Sequence, residues 1–316
     1  MTSSVETPST TALAPRSLTP ASVAAFIRLL AVLFKVRIVA LLLFAGTGGA
    51  FLAAGGWPGF SPLILMTLTG GVAAMGASAL NQYLEQTADA AMRRTRRRPL
   101  VTGAITHPRW VPVAALAMIF APSLAALPFN PALAVFSIGG AVIYAGVYTI
   151  WLKPRTVLNI VIGGLAGTCA VLCGGAAVGP ATGFAAPGWS HPGVLTLGLL
   201  VFLWTPAHFW SLAIMCREDY ARANVPMLPA RTSLRHSAIW VAVHALATGF
   251  AALALGALPE LGWLYLAPVA LATAELARRC ALLIAAPNPA RARSLFLASN
   301  IYLAFVLLMI CVATVL

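Results

Sequence analysis

Residues 194–222 read VLTLGLLVFLWTPAHFWSLAIMCREDYAR, and this stretch decides the class of the chain. From Val194 to Met215 there is no Asp, Glu, Lys or Arg; then Arg217, Glu218, Asp219 and Arg222 arrive together. About 20 apolar residues wound as a helix cross the roughly 30 Å hydrocarbon core of a bilayer. The run therefore reads as a membrane span whose charges begin where water does.

Working outward, the same pattern recurs along the chain. Of 316 residues, 60% are hydrophobic and 9% charged, with a mean hydropathy of +0.91. An ordinary soluble domain carries roughly 25% charged residues, so a water-soluble fold is excluded. Nine apolar runs qualify as spans, at residues 38–55, 62–82, 110–128, 131–151, 157–178, 194–215, 237–257, 261–277 and 294–316. The expected fold is an all-α integral membrane protein, a bundle of about nine transmembrane helices. Residues 22–316 form its single domain. Residues 22–35, with Arg28 and Lys35, read as an amphipathic stretch along the membrane surface. Residues 1–21, rich in Ser, Thr, Pro and Ala, read as a disordered cytoplasmic tail; a mitochondrial presequence is the competing reading, but Arg16 is the sole basic residue there.

Charge supports the count. With nine spans, all 20 Lys and Arg residues fall on one face of the membrane and the opposite loops receive none. The positive-inside rule then puts the amino terminus in the cytoplasm and the carboxyl terminus outside. A net charge of +13 invites a nucleic-acid reading. The basic residues punctuate apolar runs instead of covering a solvated domain, so no nucleic-acid partner is expected; the partner is the lipid bilayer. The five cysteines all lie in or beside apolar stretches, and Cys169 with Cys173 is not a CxxC pair, so they read as small apolar fillers.

Only seven acids occur, and four of them fall in two short segments, each at the cytoplasmic end of a span. A carboxylate at the membrane edge is costly, which makes it a functional candidate. In the first segment Asn81, Glu85 and Asp89 stand at i, i+4 and i+8, along one face of the helix continuing from the second span. Three oxygen donors so placed suit Mg²⁺, which takes one or two protein carboxylates and fills its shell with water and substrate phosphates. Arg94 and Arg98 follow within reach of a phosphate, which the guanidinium fork binds in bidentate fashion. The plainer reading is a solvated helix end whose acids offset the arginine run.

The second segment, Arg217 to Pro229, contains Glu218 and Asp219 on the same face. Alone, it reads as a loop with local ion pairs. Together, two acidic clusters on one face can converge on a single diphosphate, whose departure Mg²⁺ and arginines would assist by offsetting the developing charge.

Three runs, in order, resemble a known family: the membrane-embedded prenyltransferases of the UbiA type, and within it the branch that farnesylates heme. The first segment resembles the family motif Asn-x-x-x-Asp-x-x-x-Asp-x-x-Met-x-Arg-Thr-x-x-Arg-Pro through Asn81, Asp89, Met92, Arg94, Thr95, Arg98 and Pro99, with Glu85 where aspartate is usual. Tyr148 to Thr156, followed by Asn159, Gly163 and Gly164, is the second. Trp204 to Trp210, leading into Asp219, Tyr220 and Val225 to Pro229, is the third. The resemblance covers roughly residues 25–235, while the last third resembles the family in hydropathy alone. Departures occur at Ala170, Val171, Gly174 and Gly175, where the branch carries Pro-Pro and Gly-Trp, and at Ala207 and Asn224, where it carries proline and glycine. The former group would lie near the acceptor, within the bundle.

The resemblance implies transfer of a farnesyl group from farnesyl diphosphate to the 2-vinyl group of heme b, with addition of water, giving heme O and diphosphate. It implies that Asn81, Glu85, Asp89 and Asp219 hold Mg²⁺ and diphosphate, and that Arg94, Arg98 and Lys153 contact phosphate oxygens. His208, with Tyr148 and Trp204, is a candidate for the acceptor side, either orienting the porphyrin or relaying a proton; a histidine capped inside the bundle is the plainer reading. His107, His191, His236 and His244 read as structural or solvent-facing. The charge pattern puts the active site on the cytoplasmic face, the short tail favours a bacterial inner membrane over a mitochondrial one, and the resemblance implies a heme-modifying oxidase (a heme A synthase) as partner. Two alternatives stay open: prenyl transfer to an aromatic quinone precursor, and a transporter of an anionic metabolite. The transporter reading lacks an internal repeat or a midplane acid.

Overall fold

The computed structural model describes residues 20–179 and 187–316; most of the expected tail at 1–21 lies outside the described residues. Helix α1 (Pro20–Leu33) meets α2 (Val36–Ala54) at a sharp elbow. Then come α3 (Phe60–Leu84), the short α4 (Gln86–Ala91), α5 (Trp110–Ala126), α6 (Pro131–Leu152), α7 (Asn159–Val178) and α8 (Pro192–Met215). The short α9 (Arg217–Arg222) and α10 (Leu228–Arg231) lead into α11 (Leu234–Leu255), α12 (Gly262–Ala285) and α13 (Pro289–Ala313).

Seven of these, α2, α3, α6, α7, α8, α11 and α13, are long and apolar enough to cross a membrane. The two other expected spans correspond to α5, at 17 residues, and α12, which carries Glu275, Arg278 and Arg279. The expected surface stretch is α1, with Val23, Phe26, Ile27 and Val32 exposed and Leu33 buried.

Helix starts follow from cap residues in the connections. Asn130 Oδ1 accepts from Leu133 N at 3.0 Å ahead of Pro131, and Asn288 Oδ1 accepts from Arg291 N at 2.9 Å ahead of Pro289. Ser233 Oγ accepts from His236 N at 3.2 Å. Each satisfies a backbone N–H that the first turn leaves without a partner, and proline at the first helical position costs nothing there.

The run that decides the fold is also its centre: 67% of the most apolar window of α8 is buried, against 39–50% for the other spans. Helix α8 packs on α2, α7, α11 and α13. Lipid offers no hydrophobic force between helices, so close backbone approach has to supply the packing. The α2–α7 crossing does this with small residues: a Cβ at Gly174 would fall 1.7 Å from the Gly46 carbonyl oxygen, and one at Gly49 would fall 2.4 Å from that of Val171. The departures noted in the fifth span therefore lie in this crossing, and Gly175 abuts Trp189 and Val194. Large exposed side chains such as Phe250, Trp263, Leu271 and Ile301 form the outer apolar surface.

Candidate active site

The elbow between α1 and α2, the loops after α3 and α6, and the α9–α10 segment meet at one end of the bundle. Helix α3 reaches this end carrying Asn81, then stops. Glu85 leaves helical geometry (φ −99°, ψ 11°) and the short α4 continues to Asp89. The single continuing helix expected from the spacing is thus two helices with a break at Glu85. Even so, Asp89 N donates to Glu85 O at 2.8 Å, and Asn81, Glu85 and Asp89 are all buried.

Each of the three donors has a basic partner. Asp89 pairs with Arg98 at 2.5 Å, and Glu85 pairs with Lys153 across from α6. Asn81 Oδ1 accepts from Lys35 Nζ at 2.5 Å, while its Nδ2 donates to Thr149 Oγ1 at 2.9 Å. Thr95 Oγ1 donates to the Asp89 carbonyl at 2.9 Å and closes the loop. The result is a ladder of oxygen donors and cations held by parts of the chain far apart in sequence.

Lys35 is a member of this ladder that sequence reasoning missed. It is half-buried, lies at the elbow in the left-handed conformation (φ 49°, ψ 46°), and also donates to the Tyr144 hydroxyl at 2.8 Å. Burial of its amine, with Arg98 close by, pulls it down to about 7, against the opposing pull of Glu85.

The facing wall comes from α6, whose residues Val142–Leu152 wind as a π-helix. The wider turn brings residues five apart into register: Thr149 Oγ1 donates to Tyr144 O at 2.8 Å, and Lys153 N to Tyr148 O at 2.8 Å. Tyr144, Tyr148, Thr149 and Lys153 thereby share one face, an arrangement frequent at functional sites. The two tyrosine rings stack at 5.8 Å, and Lys153 Nζ lies 5.6 Å from the Tyr148 centroid.

The second acidic segment differs. Asp219 is buried and pairs locally with the half-exposed Arg222 at 2.6 Å, whereas Glu218 is exposed. Asn224 adopts φ 53°, the left-handed region where the resembling branch carries glycine, and accepts from Arg231 at 3.3 Å. The two segments meet where the Arg94 guanidinium lies beside Tyr220. Met92 of the first packs in one apolar cluster with Tyr148, Tyr220 and Val225. Of the residues singled out in sequence, the structure brings together Asn81, Glu85, Asp89, Arg98 and Lys153 directly, and Arg94, Tyr148 and the Asp219–Tyr220 turn around them.

His208 and Trp204 form a separate group on α8. The His208 ring is stacked between Trp204 and Phe296, with both centroids 4.4 Å away. Ser299 Oγ donates to Phe296 O at 2.9 Å and so accepts from His208 Nδ1 at 3.0 Å; Nε2 then carries the lone pair. Trp204 Nε1 donates to Ser299 O at 2.8 Å. Of the remaining histidines, His191 accepts from Gly193 N at 3.2 Å at the start of α8, and His236 Nε2 accepts from Trp240 Nε1 at 3.0 Å. His244 bonds Trp240 O at 3.0 Å and packs edge-on to Trp210. All five cysteines are free.

Among the described residues no three His, Cys, Asp or Glu side chains form a metal cluster by themselves. The donors are all hard oxygens, which suits Mg²⁺ more than a softer metal, with the remaining positions left to water and phosphate oxygens.

The model of the UbiA prenyltransferase family matches residues 41–310. The chain is 40% identical over 280 residues to a protoheme IX farnesyltransferase of Thermus thermophilus, covering 86% of this chain and 43% of that protein. It thus spans less than half the length of that relative. It is 39% identical over 273 residues to a protoheme IX farnesyltransferase of Synechococcus sp., covering 86% of this chain and 80% of the relative. Among solved structures, a digeranylgeranylglyceryl phosphate synthase shares the fold with a TM-score of 0.74 at 17% identity, covering 92% of this chain and 98% of that one. A UbiA homolog from Archaeoglobus fulgidus bound to DMAPP and Mg²⁺ shares it with a TM-score of 0.58 at 15% identity, covering 90% and 99%.

Proposed function

The chain belongs to the UbiA prenyltransferase family, and on that premise we propose that it transfers a farnesyl group from farnesyl diphosphate to the 2-vinyl group of heme b. The farnesyl carbon bonds one vinyl carbon as the bond to diphosphate breaks, water gives a hydroxyl to the other vinyl carbon and loses a proton, and heme O and diphosphate are the products. The observation that carries the reading is the ladder of Asn81, Glu85 and Asp89, each donor buried and matched to a cation at one mouth of an apolar bundle. The names of the Thermus and Synechococcus relatives support heme as the acceptor.

In this reading Asn81, Glu85, Asp89 and Asp219 hold Mg²⁺ and, with it, the diphosphate. Bound Mg²⁺ would offset the charge that builds on the leaving diphosphate. Arg94, Arg98 and Lys153 would take phosphate oxygens and share that charge. The faces of Tyr144 and Tyr148 offer electron-rich shelter to the allylic cation left behind, and the surrounding helices exclude water until the vinyl group has attacked. Trp204 and His208 serve the acceptor side, with Nε2 of His208 as the lone pair available to porphyrin or proton.

The basic loops support an amino terminus and a site facing the cytoplasm with the carboxyl terminus outside, and a bacterial inner membrane is the setting in this reading. The product keeps an apolar tail in the bilayer, so a heme-modifying oxidase of the same membrane, a heme A synthase, is the consumer in this reading.

The test is the heme content of membranes expressing the chain, separated by reverse-phase chromatography with mass detection, in wild type and Asp89→Ala. Farnesylated, hydrated heme in wild type that is missing from the variant supports both donor site and acceptor. Heme b unchanged in both overturns heme as acceptor and directs the assay to 4-hydroxybenzoate and, failing that, to transport.

A further inference from the structure

Lys35 is aimed at the site by a construction that involves α3 itself. Gln82, the residue after Asn81, donates its Nε2 to both the Val32 and Leu33 carbonyls at 2.8 Å. It thereby clamps the last turn of α1 and imposes the elbow where Lys35 takes up its left-handed conformation. From there the amine reaches Asn81 Oδ1 and the Tyr144 hydroxyl.

Asn81 has one atom that can ligate a hard cation, its Oδ1, since an amide NH₂ only donates; the Nδ2 bond to Thr149 fixes which way that oxygen faces. Lys35 covers that atom. The partners of Lys153 and Arg98 are carboxylates, Glu85 and Asp89, whereas both partners of Lys35 are neutral. Of the three cations on the ladder, Lys35 gives up least when displaced. With Arg98 and Lys153 as near neighbours, a displaced ammonium gains most from a new anion.

We propose that Lys35 is a diphosphate-binding residue that guards Asn81: it occupies the amide oxygen until metal and diphosphate arrive together, then yields Asn81 to the metal and transfers to a phosphate oxygen. This rests on the reading of the ladder as a metal–diphosphate site. It makes the binding of metal alone weak by construction and ties the order of ligand entry to one side chain.

The test separates the two halves of the idea by sign. Purified full-length chain in detergent is titrated with Mn²⁺ alone, following free ion by EPR, and with inorganic pyrophosphate in the presence of saturating Mg²⁺ by calorimetry. Replacing Lys35 by methionine keeps the apolar stem and removes the ammonium. Lys35→Met is expected to bind Mn²⁺ about threefold more tightly, since its competitor is gone, and pyrophosphate about tenfold more weakly, since a charge-assisted contact is gone. A scaffolding role would weaken both together, and that result, or an unchanged Mn²⁺ affinity, overturns the inference. Lys35→Gln, neutral but polar, is run in parallel so that the sign is read even where the methionine form accumulates poorly. Wild type binding neither probe overturns the metal–diphosphate reading itself.

Discussion

The two acidic segments lie at the same mouth and share a composition, yet they are held in opposite ways. On the first, Glu85 and Asn81 find their partners 68 and 46 residues away, at Lys153 and Lys35, while Asp89 finds Arg98 within the segment and is buried beside them. On the second, Asp219 finds Arg222 three residues on, and the side chain of Arg222 is 47% exposed. The first is therefore a product of the fold, rigid only when α1, α3 and α6 are all in place; the second is a local turn that any helix end could form. A site that must accept and release a charged ligand gains from this division: donors held across the fold on one wall, a locally paired carboxylate on the other.

The largest effect expected from breaking this contrast is on turnover. Asp89→Asn keeps the volume but removes the charge from the fixed wall, and heme O formation in membranes should drop by about 10³-fold, the scale of losing one preorganised electrostatic group. Asp219→Asn, on the locally paired wall, should cost only about tenfold in the same assay, because water and the exposed Glu218 can take up part of the role. Equal losses would erase the distinction.

Stability should divide along the same line. Lys153→Met leaves Glu85 buried without its counter-charge, and breaking one side of such a pair costs about 3 kcal/mol. Thermal unfolding in detergent reads this, and the double variant Lys153→Met with Glu85→Gln should recover most of the loss. Failure of the double variant to recover would place the energy in packing against Tyr148 instead of in the ion pair.

How much of this was legible follows the same contrast. The spans could be read because run length alone decides them, and the acids could be read because there are so few. Lys35 could not, since a lysine ahead of the first span looks like a surface anchor until the Gln82 clamp turns it inward. The signal available was position: a lone lysine bounding α2 on the side where every other ladder residue lies. The π-winding of α6 was hidden because a span surrounded by lipid and protein is apolar on all faces and carries no phase. The five-residue spacing of Tyr144 with Thr149 and Tyr148 with Lys153 is visible only once the site is known. The break at Glu85 was missed because i, i+4 spacing presumes one helix. Ser299, which sets the His208 tautomer, lies in the last third, where only hydropathy resembled the family.

The smallest effect bears most directly on the locally paired wall. Arg222 offsets Asp219 in a pair open to solvent, and such pairs contribute within about 1 kcal/mol. Arg222→Ala should therefore leave thermal stability within that range. Its effect on ligand should be opposite to that of a variant that removes a ladder carboxylate, Glu85 or Asp89. Asp219, freed from its neighbour, is more available to a metal, so the Mg²⁺ concentration giving half-maximal heme O formation should fall or stay level. If it rises instead, Arg222 holds diphosphate on its own account, and the second segment is as much a fixed wall as the first.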